Sequence, residues 1–307
     1  MTGPLVVAIV LSHERPDRTV ACLRSLRSSL YPNLEVVVLD TGQAPGSADD
    51  IGRAFPGTEI VALEGNRGYA GGNNTGLALA LRRRADWALL VNDDVTVAAD
   101  CLSRLVECGE SERRIGMVGP TVHHRDEPRV IQSAGGYLEP DWSASFLAAD
   151  EPDRGQLREP RDVAWLSGCA LLVRLELYEQ IGPLDERFFC YWEDVDWCLR
   201  AHRYGWRVVH EPAARAWHEG GRTGSAPHPA VAYYTTRNHL LALGKHGAPL
   251  RVRLVAARRL GTTLLVWSVR PSLRSRRAAR TAMWQGVADF ALGRFGERPS
   301  TGRGRSE

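Results

Sequence analysis

The first 120 residues alternate short apolar runs with longer amphipathic stretches. Leu5–Leu11, Leu34–Leu39, Glu59–Leu63, Trp87–Val91 and Ile115–Val118 are continuous and rich in Val, Ile and Leu, the pattern of parallel strands covered on both faces. Between them lie helical patterns at Arg18–Ser29, Ser47–Phe55, Asn74–Arg84 and Asp100–Glu110. Pro16 and Asp100 supply start signals for the first and last of these. Alternating strands and helices predict an α/β fold with a doubly wound, mainly parallel sheet and right-handed crossovers. In such sheets the residues just past the carboxyl ends of the strands line the ligand crevice. Here those residues are His13, Asp40, Asn66 and Asn92-Asp93-Asp94.

The pattern then loosens. Residues 121–162 are polar and hold several Pro and Gly, which suggests hairpins and a variable loop. Val163–Trp165 resumes as a strand, and Leu171–Ile181 carries a helical pattern. Glu193–Tyr204 predicts a helix stopped at Gly205, and Trp206–His210 a further strand. Gly220, Gly221 and Gly224 mark a flexible loop. From about residue 246 the chain reads as a helical extension broken at Pro271. Its longest apolar run, about Leu260–Val269, is half of the ~20 residues a membrane span needs. The opening run Leu5–Leu11 has no basic flank before it and leads straight into Ser12-His13-Glu14-Arg15-Pro16. It reads as a first strand and not as a signal peptide.

Composition narrows the class. With 307 residues, 44% hydrophobic and 24% charged, the chain is not disordered, collagen-like or a polytopic membrane protein. Cys22, Cys101, Cys108, Cys169, Cys190 and Cys198 form no C-x-x-C pair and no zinc spacing, so they read as buried thiols of a reducing compartment. The net charge of +3 hides an asymmetry. From Lys245 onward 14 basic residues face 3 acidic ones, a balance of +11, against −8 for the rest. An acidic body with a basic tail points to an anionic partner.

Three acidic sites follow the strand pattern: Asp40, Asp93-Asp94, and Glu193-Asp194 with Asp196. The topology lets them converge on one sheet edge, where carboxylates repel unless a cation compensates. Mg²⁺ favours one or two carboxylates together with substrate phosphates, so a diphosphate substrate is the economical explanation. Each site also has a plainer reading. Asp40 and Asp93-Asp94 fit turn chemistry. Asp196 fits an i,i+4 ion pair with Arg200 on a solvated face, and Glu193-Asp194 fit the positive end of a helix dipole. The Gly-rich stretch Gly65–Asn74 precedes a helical pattern and offers backbone N–H groups to a phosphate, although it is neither G-x-G-x-x-G nor a Walker loop. His218, in a loop, is either a surface residue or a metal ligand. His123, His124 and His239 have no evident partner in the sequence. Trp165 and Trp192 suit either core packing or the apolar wall of a ligand site.

Taken in order, these segments resemble the family 2 inverting glycosyltransferases, and within them a bacterial rhamnosyltransferase-like branch. Val36-Val37-Val38-Leu39-Asp40 resembles the strand ending in the nucleotide-binding aspartate. Asn66-Arg67-Gly68-Tyr69-Ala70-Gly71-Gly72-Asn73-Asn74 resembles the N-x-G-[FY]-A-G-G-N-N segment. Leu89–Asp94 resembles the strand that ends in the metal motif, and Gly168-Cys169-Ala170-Leu171-Leu172 the acceptor-side segment. The stretch from Gly182 through Leu184-Asp185-Glu186, Phe188-Phe189 and Glu193-Asp194 to Arg200 resembles the catalytic stretch. His218 falls where the late metal-associated histidine lies. Tyr233-Tyr234 and Arg237-Asn238 follow as in the family, and Gly293-Arg294-Phe295-Gly296 resembles the branch's ending. The likeness covers about residues 5–240. The chain departs from the family at Ser12–Pro16 and at Asp40-Thr41-Gly42-Gln43, positions that bear on base and sugar specificity, and at Asn92, where the metal motif begins with Asn and not Asp, which leaves Asp94 as the direct ligand.

The resemblance implies a GT-A-type, Rossmann-like fold over residues 1–245, with a nucleotide-binding half to about 120 and an acceptor and catalytic half to 245. Residues 246–307 then form the basic helical extension. It implies Asp194 as catalytic base, and Asp94 and His218 as ligands of Mg²⁺ or Mn²⁺. Asp40, Asn66, Gly68, Gly72, Asn73, Asn92 and Asp93 face the donor, a dTDP- or UDP-sugar with dTDP-rhamnose first. Gly168, Cys169, Trp192 and Glu193 face a glycan or lipid-linked acceptor. An anionic membrane surface is the partner expected for the basic segment, at the inner face of the cell membrane. No nucleic-acid motif accompanies the charge. The competing readings are a nucleotidyltransferase, whose Gly-rich basic signature is missing after the first strand, and a degenerate binding module, which would not need both Asp94 and Asp194.

Overall fold

Strand β1 (Val6–Ser12) shows how the sheet is built. Val6 to Val10 are fully buried, with Val6, Ala8 and Val10 packing on one face and Val7 and Ile9 on the other. Burying each such side chain contributes about 1.5–3 kcal/mol. The computed structural model describes residues 3–13, 15–220 and 227–299. The loop marked by Gly221 and Gly224 lies outside them, as does Glu14.

The first half follows the sequence reading closely. After β1 come α1 (Pro16–Arg27), β2 (Leu34–Asp40), α2 (Ser47–Ala54), β3 (Glu59–Ala62), α3 (Gly68–Arg82), β4 (Trp87–Asn92), β5 (Val95–Val97), α4 (Cys101–Ser111) and β6 (Ile115–His124). Pro16 opens α1 as its first helical residue, where its missing N–H costs nothing. The helix predicted from Asn74 starts six residues earlier, at Gly68. Most of the Gly-rich stretch is therefore helix and not loop. The glycines are there for packing: a Cβ on Gly72 would lie 2.7 Å from Leu11 Cδ1, and one on Gly76 would collide with Ile9. α3 thus sits closer to β1 than side-chain-bearing residues would permit.

The second half contains β7 (Ile131–Ser133), β8 (Gly136–Leu138), β9 (Ala144–Phe146), β10 (Arg161–Asp162), β11 (Ala170–Arg174), α5 (Leu175–Ile181), α6 (Glu193–Arg203) and β12 (Arg207–His218). Here the run Leu171–Ile181 divides. Its first part is strand β11, inserted antiparallel between β4 and β6, and only Leu175–Ile181 is helical. The apolar run suits both states because β11 is covered on both faces.

The main sheet runs β10-β12-β6-β11-β4-β1-β2-β3. The pairs β2·β3, β1·β2, β1·β4 and β6·β12 are parallel. β1 lies between β2 and β4, so the chain reverses its winding there, and Ser12, Asp40 and Asn92 stand together at the carboxyl ends. That is where a doubly wound sheet opens its crevice. α7 (Pro229–Lys245), α8 (Leu250–Val269), a 3₁₀ turn at Pro271–Arg276 and α9 (Arg277–Ala291) complete the chain. The break at Pro271 is where the sequence places it. Among the described residues no helix is long and apolar enough to cross a membrane. All six cysteines are free.

Candidate active site

A cavity of about 610 Å³ lies past the carboxyl ends of the central strands. It gathers eight of the residues singled out in the sequence: Asn92, Asp94, Gly168, Cys169, Trp192, Glu193, Asp194 and His218. Asp40, Asn66, Gly68, Gly72, Asn73 and Asp93 do not line it.

One end is made by the turn between β4 and β5. β5 pairs antiparallel with the end of β12, and this pairing sets Val95 against His218. Asp94 Oδ1 and His218 Nε2 are thereby 3.2 Å apart. Burial works to raise the Asp94 pKa, but the hydrogen bond and charge of His218, with Arg18 behind it, outweigh burial and hold the carboxylate below its ordinary value. Asp93 points away and accepts the His13 N–H at 3.0 Å. Burial leaves its pKa raised. Asp40, buried at the end of β2, accepts the Gly42 N–H at 3.1 Å, and Asn66 accepts that of Gly68 at 2.9 Å. Both make the local turns that their residue types favour.

The other end is the start of α6. Phe189, Tyr191 and Trp192 all have positive φ, between 64° and 80°, a conformation that costs non-glycine residues about 1–3 kcal/mol each. α7 holds this strained turn. Asn238 Nδ2 donates to the carbonyls of Phe188, Cys190 and Tyr191 at 2.9, 2.9 and 2.7 Å. Arg237 Nη2 donates to those of Arg187 and Phe188 at 3.1 and 3.0 Å. Both side chains are fully buried. The run Tyr233-Tyr234-x-x-Arg237-Asn238, which the sequence left without a task, is this clamp.

The turn delivers Glu193 and Asp194 to the cavity as the first two residues of α6. Asp194 Oδ2 accepts the Gly168 N–H at 3.0 Å and Oδ1 accepts the Val195 N–H at 2.8 Å. The sequence suggests a carboxylate kept ionised by the helix start. Here burial prevails over those N–H bonds and raises the Asp194 pKa. Glu193 is buried more deeply. Its Oε2 has no hydrogen-bond partner among the described residues, and burial, with Asp194 beside it, pushes its pKa well up. Asp196 corrects the sequence reading. It does pair with Arg200 at 3.0 Å, but it is fully buried, not solvated, and also holds Lys245 and His246 at 2.8 Å each.

Tyr69 and Gln132 line the cavity, although neither has a role assigned from the sequence. Tyr69, from the Gly-rich stretch, donates its hydroxyl to the Gly168 carbonyl at 2.6 Å. Gln132 bonds His218 Nδ1 at 2.7 Å. Trp165 packs against Phe146 with ring centroids 4.8 Å apart, and Trp192 stacks on His239 at 4.9 Å. His123 and His124 have partners after all, Asp153 and Asp150, each at 2.9 Å.

Asp94 and His218 offer one carboxylate oxygen and one imidazole nitrogen side by side at the cavity wall. That donor set fits Mg²⁺ or Mn²⁺, which leave their remaining positions to phosphate and water. Among the described residues no group of three or more His, Cys, Asp or Glu forms a closed metal cage.

A sheet of this winding, with its crevice between two carboxylate sites, is the architecture of GT-A transferases. The mannosyltransferase PcManGT from Pyrobaculum calidifontis, solved with GDP-Man and Mn²⁺, superposes with a TM-score of 0.59 over 94% of this chain and 88% of its own, at 16% identity. The chain belongs to the family described as "Glycosyltransferase like family 2", whose model matches residues 4–237. It is similar to the N-acetylglucosaminyl-diphospho-decaprenol L-rhamnosyltransferase of Mycobacterium tuberculosis, 27% identical over 86% of this chain and 92% of that protein. It is also similar to the dTDP-rhamnosyl transferase RfbF of Shigella flexneri, 25% identical over 67% of this chain and 71% of that protein. The chain is thus a glycosyltransferase.

Proposed function

We propose that the protein transfers L-rhamnose from dTDP-rhamnose to a hydroxyl of a glycan or lipid-linked acceptor, inverting the anomeric centre. The observation that carries this reading is that Asp94, His218 and Asp194 line one cavity. Asp94 and His218 would hold Mg²⁺ or Mn²⁺, which when bound offsets the charge developing on the leaving nucleoside diphosphate. The donor side is assigned to Asn92, which lines the cavity, and to Asp40, Asp93 and the Asn66–Asn73 segment outside its lining. Gly168, Cys169, Trp192 and Glu193 form the acceptor side. Asp194 takes the proton from the acceptor hydroxyl, a role that contributes ~10²–10⁴-fold in rate. The N–H groups of Gly168 and Val195 orient it for that task. The names of the two relatives, a decaprenol-linked L-rhamnosyltransferase and a dTDP-rhamnosyl transferase, support rhamnose, dTDP and a polyprenyl-linked acceptor. Cell-wall or surface polysaccharide assembly is the corresponding pathway.

The basic extension fits a membrane partner. On α8, Leu250, Leu254, Leu265 and Val269 are each more than 60% exposed, and Arg251 and Arg258 lie beside this stripe. An exposed apolar stripe flanked by arginines suits an anionic lipid surface, here the inner face of the cell membrane. Divalent-metal-dependent thermal stabilisation, measured against dTDP-rhamnose and a panel of UDP-, GDP- and other dTDP-sugars, tests the donor assignment. One donor should respond, and Asp94→Ala should abolish the response. No response to any donor, with or without anionic vesicles, would overturn it.

A further inference from the structure

The hydrogen bonds behind His218 form a directed chain. Asp150 Oδ1 faces His124 Nε2 at 2.9 Å, and a carboxylate there takes the Nε2–H. His124 Nδ1 is then an acceptor, 3.5 Å from Gln132 Nε2. That amide nitrogen also donates to the Gly220 carbonyl at 3.2 Å, which fixes which way the Gln132 amide points. Gln132 Oε1 therefore faces His218 Nδ1, at 2.7 Å, and accepts its proton. The neutral imidazole so oriented carries its lone pair on Nε2, the atom beside Asp94 Oδ1. A divalent cation bound between them would take the place of the proton through which Nε2 otherwise hydrogen-bonds to Asp94. The Gly220 backbone lies close against the ring, since a Cβ there would come within 2.6 Å of His218 Nδ1.

We infer that Gln132 is the positioning residue of the cation site: it fixes the His218 tautomer and ring orientation so that Nε2 and Asp94 present their lone pairs together. The inference rests on the metal reading proposed above. Partners behind a ligating histidine typically change metal affinity by 10–100-fold when lost. Neither Gln132 nor His124 belongs to any motif in the sequence. β6 and β7 bring them to His218, the one by pairing with β12 and the other by pairing with β6.

The test is direct binding of Mn²⁺, with and without UDP or dTDP, read from the loss of the free-ion EPR signal against protein-free controls. Gln132→Leu, which cannot accept the Nδ1–H, should weaken Mn²⁺ binding about 10-fold while the metal-free protein melts with the wild type. Gln132→Glu keeps an acceptor at that atom and should restore binding to near the wild-type value. Equal Mn²⁺ affinity in Gln132→Leu and wild type, with Asp94→Ala still defective, would overturn the inference and leave the metal site standing. An equal loss in both Gln132 variants would overturn it in favour of simple packing. Undiminished binding in Asp94→Ala would remove the metal reading and the inference together.

Discussion

Two carboxylates that line the cavity, Asp94 and Asp194, sit in opposite circumstances. Asp94, in the β4–β5 turn, has Arg18 and His218 within its field and is held below its usual pKa despite burial. Asp194, at the start of α6, has only backbone N–H partners, and burial lifts it. Adjacent acidic residues look alike in a sequence. What they do depends on which cations the fold brings to them. One end of the cavity is suited to stabilise a positive charge. The other is suited to accept a proton.

The contrast can be broken in graded ways. Asp194→Asn should have the largest effect, a loss of ~10²–10⁴-fold in kcat with donor-induced thermal stabilisation retained. Survival of most of the activity would remove the proton-accepting role from that end. Asp94→Ala should cost about 100-fold in metal-stimulated turnover, since metal stabilisation of a leaving group is worth several kcal/mol. An unchanged Mn²⁺ response would make the two ends equivalent. Asn238→Ala strips three buried carbonyls of a donor and should lower stability in urea by about 2–4 kcal/mol. Wild-type stability would mean that the strained turn needs no clamp.

pH sharpens the comparison further. With the Asp194 pKa raised, the acidic limb of kcat/KM should lie above the ordinary carboxylate range, because the base is protonated sooner as pH falls. A limb in that ordinary range would contradict the burial argument. The smallest effect concerns Glu193. Its folded-state pKa is raised, so its stabilising share is complete at low pH and is lost as pH rises through the folded pKa. Glu193→Gln should flatten that decline in a urea-against-pH series. An undiminished slope would place the titrating group elsewhere.

The strands of the first half could be read from the chain because each is a continuous apolar run bounded by polar residues. The Gly-rich stretch misled because glycine disfavours helices on its own account. Only close tertiary approaches explain the four glycines of α3's first turns: Phe189 against Gly68, Arg67 against Gly71, Leu11 against Gly72 and Ile9 against Gly76. β11 was hidden in a run whose strand-to-helix switch at Leu175 carries no Gly or Pro. The catalytic stretch was legible as a motif, but its strained backbone was not, since no glycine marks Phe189, Tyr191 or Trp192. Gln132 lay in a segment with no periodicity at all. Its importance arises from pairing between strands far apart in sequence.

The clamp on the catalytic turn has one more anchor. Arg237 Nη1 also donates to the Gly296 carbonyl at 2.7 Å, and Gly296 N–H returns to the Arg187 carbonyl at 2.9 Å. A ribosome makes Asp194 about a hundred residues before it makes Gly296. The nascent chain therefore carries every proposed catalytic side chain before the lacing around them can close.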